Sequence, residues 1–332
     1  VLVGGGFALC SLTTSLTSLY LAFGVVVGVG NGFGYAVPMP VASKWFPDRR
    51  GLVVGLMVGG YGAGSAIMGP LATSLIGSYG WREAFRILGA IFFVMGLIGT
   101  ALLKNPPAGY QPPAGASAAR AKVKASVDVP TAEVIRTPVF YFLWVAYAFG
   151  TTAGQMVISQ LVPFARSAGW TATIATFAIT VGAFGNASGR ILSGWLSDTL
   201  GRLTTLRIMV LASAVAMPAL FFGRTQLVLF YPLVAAVYWC YGTQLSVFAS
   251  TTADLFGLRY LGLNYGVLFT AWGVAGILGP FIAGRVYQIS GSYAGAFYAA
   301  SALALVAFGS LSLARASMVP APPKRAPVVA SA

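Results

Sequence analysis

Arg190 is the residue whose type and place most constrain what this chain can do. It lies in the apolar stretch Thr173–Ser197, eight residues before Asp198. At 1.5 Å per helical residue, that separation is about 12 Å, close to the middle of a bilayer core about 30 Å thick. A cation at that depth costs about 2.5 kcal/mol or more, so it should face a cavity or a partner. A guanidinium is also the side chain that best grips a planar carboxylate, through two parallel hydrogen bonds. The alternative is a structural arginine paired with a protein carboxylate, and the chain offers few candidates. Asp48, Asp198 and Asp254 fall at the ends of apolar stretches, Glu83 in a short connection, and Asp128 and Glu133 in a long polar segment. Asn186 lies one helical turn before Arg190 on the same face. Its amide can donate to a bound carboxylate, orient the guanidinium, or simply bond between helices. An enzyme would need a nucleophile, an acid–base pair or a metal cluster. The chain has no His, its two cysteines (Cys10 and Cys240) are far apart in apolar stretches, and no carboxylate is embedded among them. No catalytic residue, metal site or cofactor is expected.

The elements that must position Arg190 follow from composition. Of 332 residues, 58% are hydrophobic and 8% charged, with mean hydropathy +0.82, against roughly 25% charged in a soluble domain. Ten apolar stretches approach the length of about 20 residues that a membrane helix needs. They run Val1–Leu16, Leu19–Ser43, Gly51–Gly77, Ile87–Leu103, Pro138–Phe164, Thr173–Ser197, Ile208–Phe222, Leu227–Ala253, Asn264–Ile289 and Ala294–Ala314. The expected fold is therefore an all-α, polytopic membrane protein. Four stretches fall in residues 1–103 and six in 138–316; residues 104–137 read as a polar, Pro- and Ala-rich flexible loop, and 317–332 as a tail. Placing the long loop and both chain ends in the cytoplasm puts 14 of the 20 basic residues on that side. Arg82, Arg86, Arg166 and Arg224 lie opposite, and Arg190 and Arg285 lie within spans. This bias fits the positive-inside rule. It accounts for most of the +14 net charge without a nucleic-acid partner, and it predicts a multi-pass protein of the inner (plasma) membrane.

An internal repeat refines the architecture. Gly51–Phe85 and Gly262–Phe297 share a Gly-Leu start, Gly62 or Gly273, a Gly-Pro pair (Gly69-Pro70, Gly279-Pro280), Gly-Ser-Tyr and Ala-Phe. A repeat of this length in a polytopic protein argues for two homologous halves. Spans two to four then match spans eight to ten, and the partners of the fifth and sixth would precede residue 1. The expectation is a 6+6 protein of which ten helices are present and two N-terminal ones, roughly 70 residues, are missing.

The segment Gly194-Trp195-Leu196-Ser197-Asp198-Thr199-Leu200-Gly201-Arg202 resembles the loop motif G-x-L-x-D-x-x-G-R of the major facilitator superfamily, in the place of its second copy. Within that superfamily, Trp45–Gly51, Asn186–Arg190, Asn264-Tyr265-Gly266 and Thr270–Gly273 look like the oxalate:formate antiporter and monocarboxylate transporter branch.

The resemblance implies a secondary transporter working by alternating access, with the substrate near the membrane midplane between halves and its carboxylate on Arg190. It points to Tyr35, Tyr61, Tyr241 and Phe269 as further substrate contacts; Trp272, three residues after Phe269, shares its helix face. It gives Gly194, Asp198, Gly201 and Arg202 a gating role. Two departures from the pattern matter. Animal-type monocarboxylate transporters have a proton-coupling Asp at the place of Asn186, which is neutral. The oxalate exchanger adds a Lys in the penultimate helix. Here Asn264–Ile289 contains no Lys, Trp272 occupies the corresponding depth, and the one cation, Arg285, lies about 20 Å further along. One central cation suits one carboxylate, so the expected substrate is a small monocarboxylate such as lactate, pyruvate or formate. Proton symport, exchange and facilitated diffusion stay open, and oxalate:formate-type anion exchange is the alternative. The expected partners are the small anion, protons if coupling exists, and the lipid bilayer.

Overall fold

A computed structural model describes residues 1–46, 49–107, 110 and 128–315, without the side chains of residues 65 and 66. Pro47 and Asp48 of the second family-like stretch, most of the central loop (108–109 and 111–127) and the tail (316–332) lie outside the described residues. Among the described residues there is no strand. The helical runs are α1 (Leu2–Ser11), α2 (Leu16–Trp45, with Tyr20–Val27 π-helical), α3 (Arg50–Leu102), α4 (Pro138–Ser167), α5 (Ala172–Leu200), α6 (Arg202–Phe222), α7 (Leu227–Phe256), α8 (Leu261–Ser290) and α9 (Ala294–Leu313). Six of them, α2, α3 and α6 to α9, are long and apolar enough to cross a membrane.

All ten predicted stretches fall on helix, with two changes at the ends. The first was expected to reach Leu16 but stops at Ser11, because polar residues take over the backbone there. Ser11 donates to the Ala8 carbonyl and Thr13 to that of Cys10, and Ser15 opens α2 with a reciprocal capping box to Ser18. The third and fourth stretches were expected to be joined by a loop, yet α3 runs through it and is broken only at Gly80 (φ 77°, ψ 165°). A straight helix of 53 residues would be about 80 Å long. A left-handed glycine is what allows one helical run to serve as two crossings.

Residues 128–137 were expected to belong to a flexible loop, and they are packed instead. Val129 N–H donates to the Phe256 carbonyl, and the fully buried Asn264 donates through Nδ2 to the Val129 carbonyl while accepting from Thr131 Oγ1. A short helix, Thr131–Val134, then leads into α4. Asn264, part of a family-like stretch, is thus committed to backbone anchoring.

The described chain divides into two compact units. In the first (1–47 and 60–112), α1 packs on α2 and α3 through glycines: a Cβ on Gly4 would come within 2.8 Å of the Gly89 carbonyl oxygen, and one on Gly30 within 2.8 Å of Val3 N. Phe7 makes edge contacts with Phe85 and Phe92. The second unit (48–59 and 113–332) has a core of Phe164, Met217, Leu220, Phe230 and Phe297 from α4, α6, α7 and α9. Its large exposed apolar side chains, such as Phe184, Val228 and Ile277, are what a helix presents to acyl chains rather than to water.

Within the second unit, α5 lies against α7 along Gly182, Gly185 and Gly189, a spacing that keeps one face. A Cβ on Gly185 or Gly189 would lie 2.5 Å from the carbonyl oxygen of Ala235 or Trp239. Without a hydrophobic drive between helices in lipid, such close backbone approach is what gives association its packing energy. Gly189→Ala is therefore expected to destabilise the protein by about 1–3 kcal/mol through overpacking. Gly284→Ala, with no atom within 4 Å of the new Cβ, should be neutral. Melting temperatures in detergent check the pair, and equal shifts would contradict the close-approach argument.

Candidate functional site

Arg190 sits on the α5 face that carries the glycines, and it is 6% exposed. Its Nε donates to Asn186 Oδ1 at 2.8 Å and its Nη1 to the Val58 carbonyl of α3 at 2.6 Å. Among the described residues it has no carboxylate partner. Nη2, the third nitrogen, makes no hydrogen bond there either.

The α3 carbonyl reaches Arg190 because the first turns of α3 lie on α5 with almost no side chain between. Gly51, Gly55 and Gly59 recur every four residues along one face. A Cβ on Gly55 would be 2.4 Å from the Arg190 carbonyl oxygen, and one on Gly194 would be 2.3 Å from that of Gly51.

The other candidate contacts of this unit gather around Tyr241, which is 5% exposed. Its hydroxyl accepts from Trp272 Nε1 of α8 and from Gln155 Nε2 of α4, both at 2.7 Å. Trp272 stacks on Phe269, with centroids 5.1 Å apart and planes 6° apart. A Cβ on Gly154 would be 2.6 Å from the Tyr241 ring, so glycine makes the room for it. Gly242, the next residue, lies against Asn186: a Cβ there would meet its backbone oxygen at 2.3 Å. Five expected residues (Arg190, Asn186, Tyr241, Phe269 and Trp272) are thus brought together in the second unit. Tyr35 and Tyr61 belong to the first, where their rings meet edge-on at 5.1 Å and the Tyr61 hydroxyl bonds Asn31 Oδ1. Arg285 is exposed. Sequence reasoning missed Gln155 and the Val58 carbonyl. Gln155 could have been found as an uncharged polar residue inside an apolar span; a backbone acceptor leaves no such trace.

At the other end of α5, Asp198 accepts from Gly51 N and Leu52 N, both at 3.0 Å. It thereby caps the N-terminus of α3, whose first amides have no helical partner and whose dipole favours an anion. Arg202 pairs with Asp198 at 2.6 Å and with Asp254 at 2.7 Å, and Arg50 adds a 3.2 Å pair to Asp254. Gly201, with φ 90°, makes the turn between α5 and α6 that brings Arg202 back to Asp198. The four motif residues Gly194, Asp198, Gly201 and Arg202 are therefore linked in one cluster, which Arg50 and Asp254 complete.

The sequence of residues 1–240 and 165–331 matches the family model described as Major Facilitator Superfamily. The chain belongs to the major facilitator superfamily. It is a multi-pass membrane protein of a transporter family, not an enzyme. It is 33% identical over 283 residues to an uncharacterised MFS-type transporter, YhjX, of Escherichia coli, covering 83% of this chain and 67% of that protein. It is 30% identical over 280 residues to the oxalate:formate antiporter of Oxalobacter formigenes (84% and 65%) and 28% identical over 315 residues to monocarboxylate transporter 13 of Bos taurus (94% and 71%). The chain spans about two thirds of the length of the first two relatives. Among solved structures, the fucose:proton symporter FucP of Escherichia coli aligns with a TM-score of 0.67 at 15% identity (95% of this chain and 81% of that one). The human organic anion transporter MFSD10 aligns at 0.69 and 15% (93% and 74%). These two establish the fold.

Asp198→Ala removes an anion from two backbone amides and from Arg202. Charged hydrogen bonds contribute about 1.5–3 kcal/mol, so hydrogen exchange at Gly51 and Leu52 should accelerate about tenfold or more. Unchanged exchange would mean that the start of α3 is held by other contacts.

Proposed function

We propose that this protein is a secondary transporter of small monocarboxylates, of the lactate, pyruvate or formate type, and that Arg190 binds the substrate carboxylate. The observation that carries this reading is a buried guanidinium held by neutral acceptors, Asn186 and the Val58 carbonyl, with Nη2 uncommitted among the described residues. A buried charge without a counter-ion is costly, and an anionic ligand supplies one. Asn186 fixes the guanidinium plane, and Tyr241 adds a hydroxyl from the neighbouring helix α7. Phe269 and Trp272 give a flat apolar wall that suits a short alkyl group. The names of two relatives, an oxalate:formate antiporter and a monocarboxylate transporter, support an anionic substrate of this class. Tyr35 and Tyr61 as substrate contacts rest on the family resemblance alone.

In this reading the Asp198–Arg202–Asp254–Arg50 cluster is a latch whose ion pairs break and re-form as the protein alternates between its two access states. The long loop and both ends of the chain face the cytoplasm of a cell whose inner membrane holds the protein, which follows from the distribution of basic residues. The oxalate exchange reading draws on the 30% identity with the antiporter; against it stands the neutral Trp272 at the depth where that branch carries its second cation.

Arg190→Gln in the full-length protein should reduce uptake of radiolabelled lactate into proteoliposomes about 100-fold or more, as expected when a charged, desolvated contact is lost. Uptake equal to the unsubstituted protein would refute the carboxylate site. Oxalate competing as well as lactate would refute the single-cation argument and favour exchange. Uptake that responds to an imposed pH gradient would establish proton coupling.

A further inference from the structure

The hydrogen-bond pattern around Tyr241 carries more than its place on α7, the helix against α5. A tyrosine hydroxyl can donate one hydrogen bond and also accept. Here its oxygen receives two donors at 2.7 Å, Trp272 Nε1 and Gln155 Nε2. An indole N–H has no accepting alternative. With its oxygen doubly engaged, the Tyr241 hydroxyl has only its proton left to offer, and that proton has no acceptor among the described residues.

The same logic applies to its neighbours. Arg190 Nε can only donate, so the Asn186 amide must turn its oxygen to it, as it does at 2.8 Å. That leaves the Nδ2 hydrogens, which have no acceptor among the described residues. Arg190 Nη2 is likewise a donor without one. Arg190 and Asn186 belong to α5, and α7 meets that helix at Asn186, against which Gly242, the residue after Tyr241, lies directly; the Tyr241 ring rests on Gly154 of α4.

We propose that Gln155 and Trp272 are positioning residues that make Tyr241 an obligatory donor. The uncommitted groups of Arg190, Asn186 and Tyr241 are then donors only. The site accepts an ionised carboxylate, which has acceptors only, and it rejects a carboxamide or protonated acid of the same shape, whose own N–H or O–H would be left unpaired. Rejection of this kind is the stronger form of selectivity, because a buried polar group without a partner is what costs affinity. The proposal rests on the reading of Arg190 as the carboxylate site.

The test is competition against radiolabelled lactate uptake by unlabelled lactate and by lactamide, with the full-length protein in proteoliposomes. The Gln155→Met/Trp272→Phe double variant removes both donors and keeps the ring and chain bulk, freeing Tyr241 to accept from an NH2 group. Its preference for lactate over lactamide should fall about tenfold, as the loss of one unpaired polar group implies, through KM with little change in kcat. In a Tyr241→Phe background the same two substitutions should change that preference by less than about twofold, because their effect runs through the hydroxyl. If the double variant is not recovered in folded form, Trp272→Phe alone, which retains an aromatic ring against Phe269, should shift the preference about threefold in the same direction. An unchanged preference, or an equal loss with and without the Tyr241 hydroxyl, overturns the proposal. Should Arg190→Gln abolish lactate uptake while these variants keep the original preference, only the positioning role falls. Should Arg190→Gln leave uptake intact, the carboxylate site itself falls.

Discussion

A guanidinium held in the membrane interior by neutral acceptors is the constraint on which the rest of this protein turns. Charge at that depth must be compensated, and a carboxylate partner would compensate it permanently. Arg190 instead takes one amide oxygen and one backbone carbonyl. These satisfy geometry but leave the charge itself unneutralised. Such a group is stable enough to persist and still has free energy to gain from an anion. An ion pair in the same place would have closed the site.

That arrangement depends on glycine. The Val58 carbonyl reaches Arg190 because Gly51 and Gly55 let α3 lie on α5 backbone to backbone, while Gly59 makes room for the Ile191 side chain. Gly185 and Gly189 do the same for α5 on α7, and Gly182 and Gly154 open the spaces that the Tyr238 and Tyr241 rings fill. In lipid these small residues serve two purposes at once. They provide the packing that holds helices together, and they set the distances at which polar groups of different helices meet. The same close approach aligns the start of α3 with Asp198, so the helix pair that holds the central cation also joins the ion-pair cluster, to which α6 and α7 add Arg202 and Asp254.

The two clusters solve opposite problems. Arg202 is paired twice, with Asp198 and Asp254, at the end of α5, where partial exposure lowers the cost of charge. Pairs of this kind are moderate in strength and can exchange partners, which suits the proposed latch. Arg190, deeper and 6% exposed, has no such latitude. Its neighbours among the described residues are uncharged, and their donors and acceptors are arranged so that donors remain.

Hydropathy alone determined that this is an all-α polytopic membrane protein, because an apolar span needs no partner to be recognised. Arg190 and the loop motif were equally legible: a lone cation in apolar sequence and a fixed Gly-Asp-Gly-Arg spacing are local signals. The Gly80 break was not read as the sole interruption of α3, since a left-handed glycine looks like any other glycine among many. Nor was the docking of residues 128–137 on Asn264, which depends on contacts over more than a hundred residues. Gln155 and the Val58 carbonyl stayed hidden for a related reason. One is an ordinary amide and the other is backbone, and each acquires meaning only when helices from distant parts of the chain meet. The sequence by itself determined which residue needs a counter-charge. Only the tertiary structure decided which groups surround it, because hydrogen-bond direction is a property of the assembled neighbours and not of any one side chain.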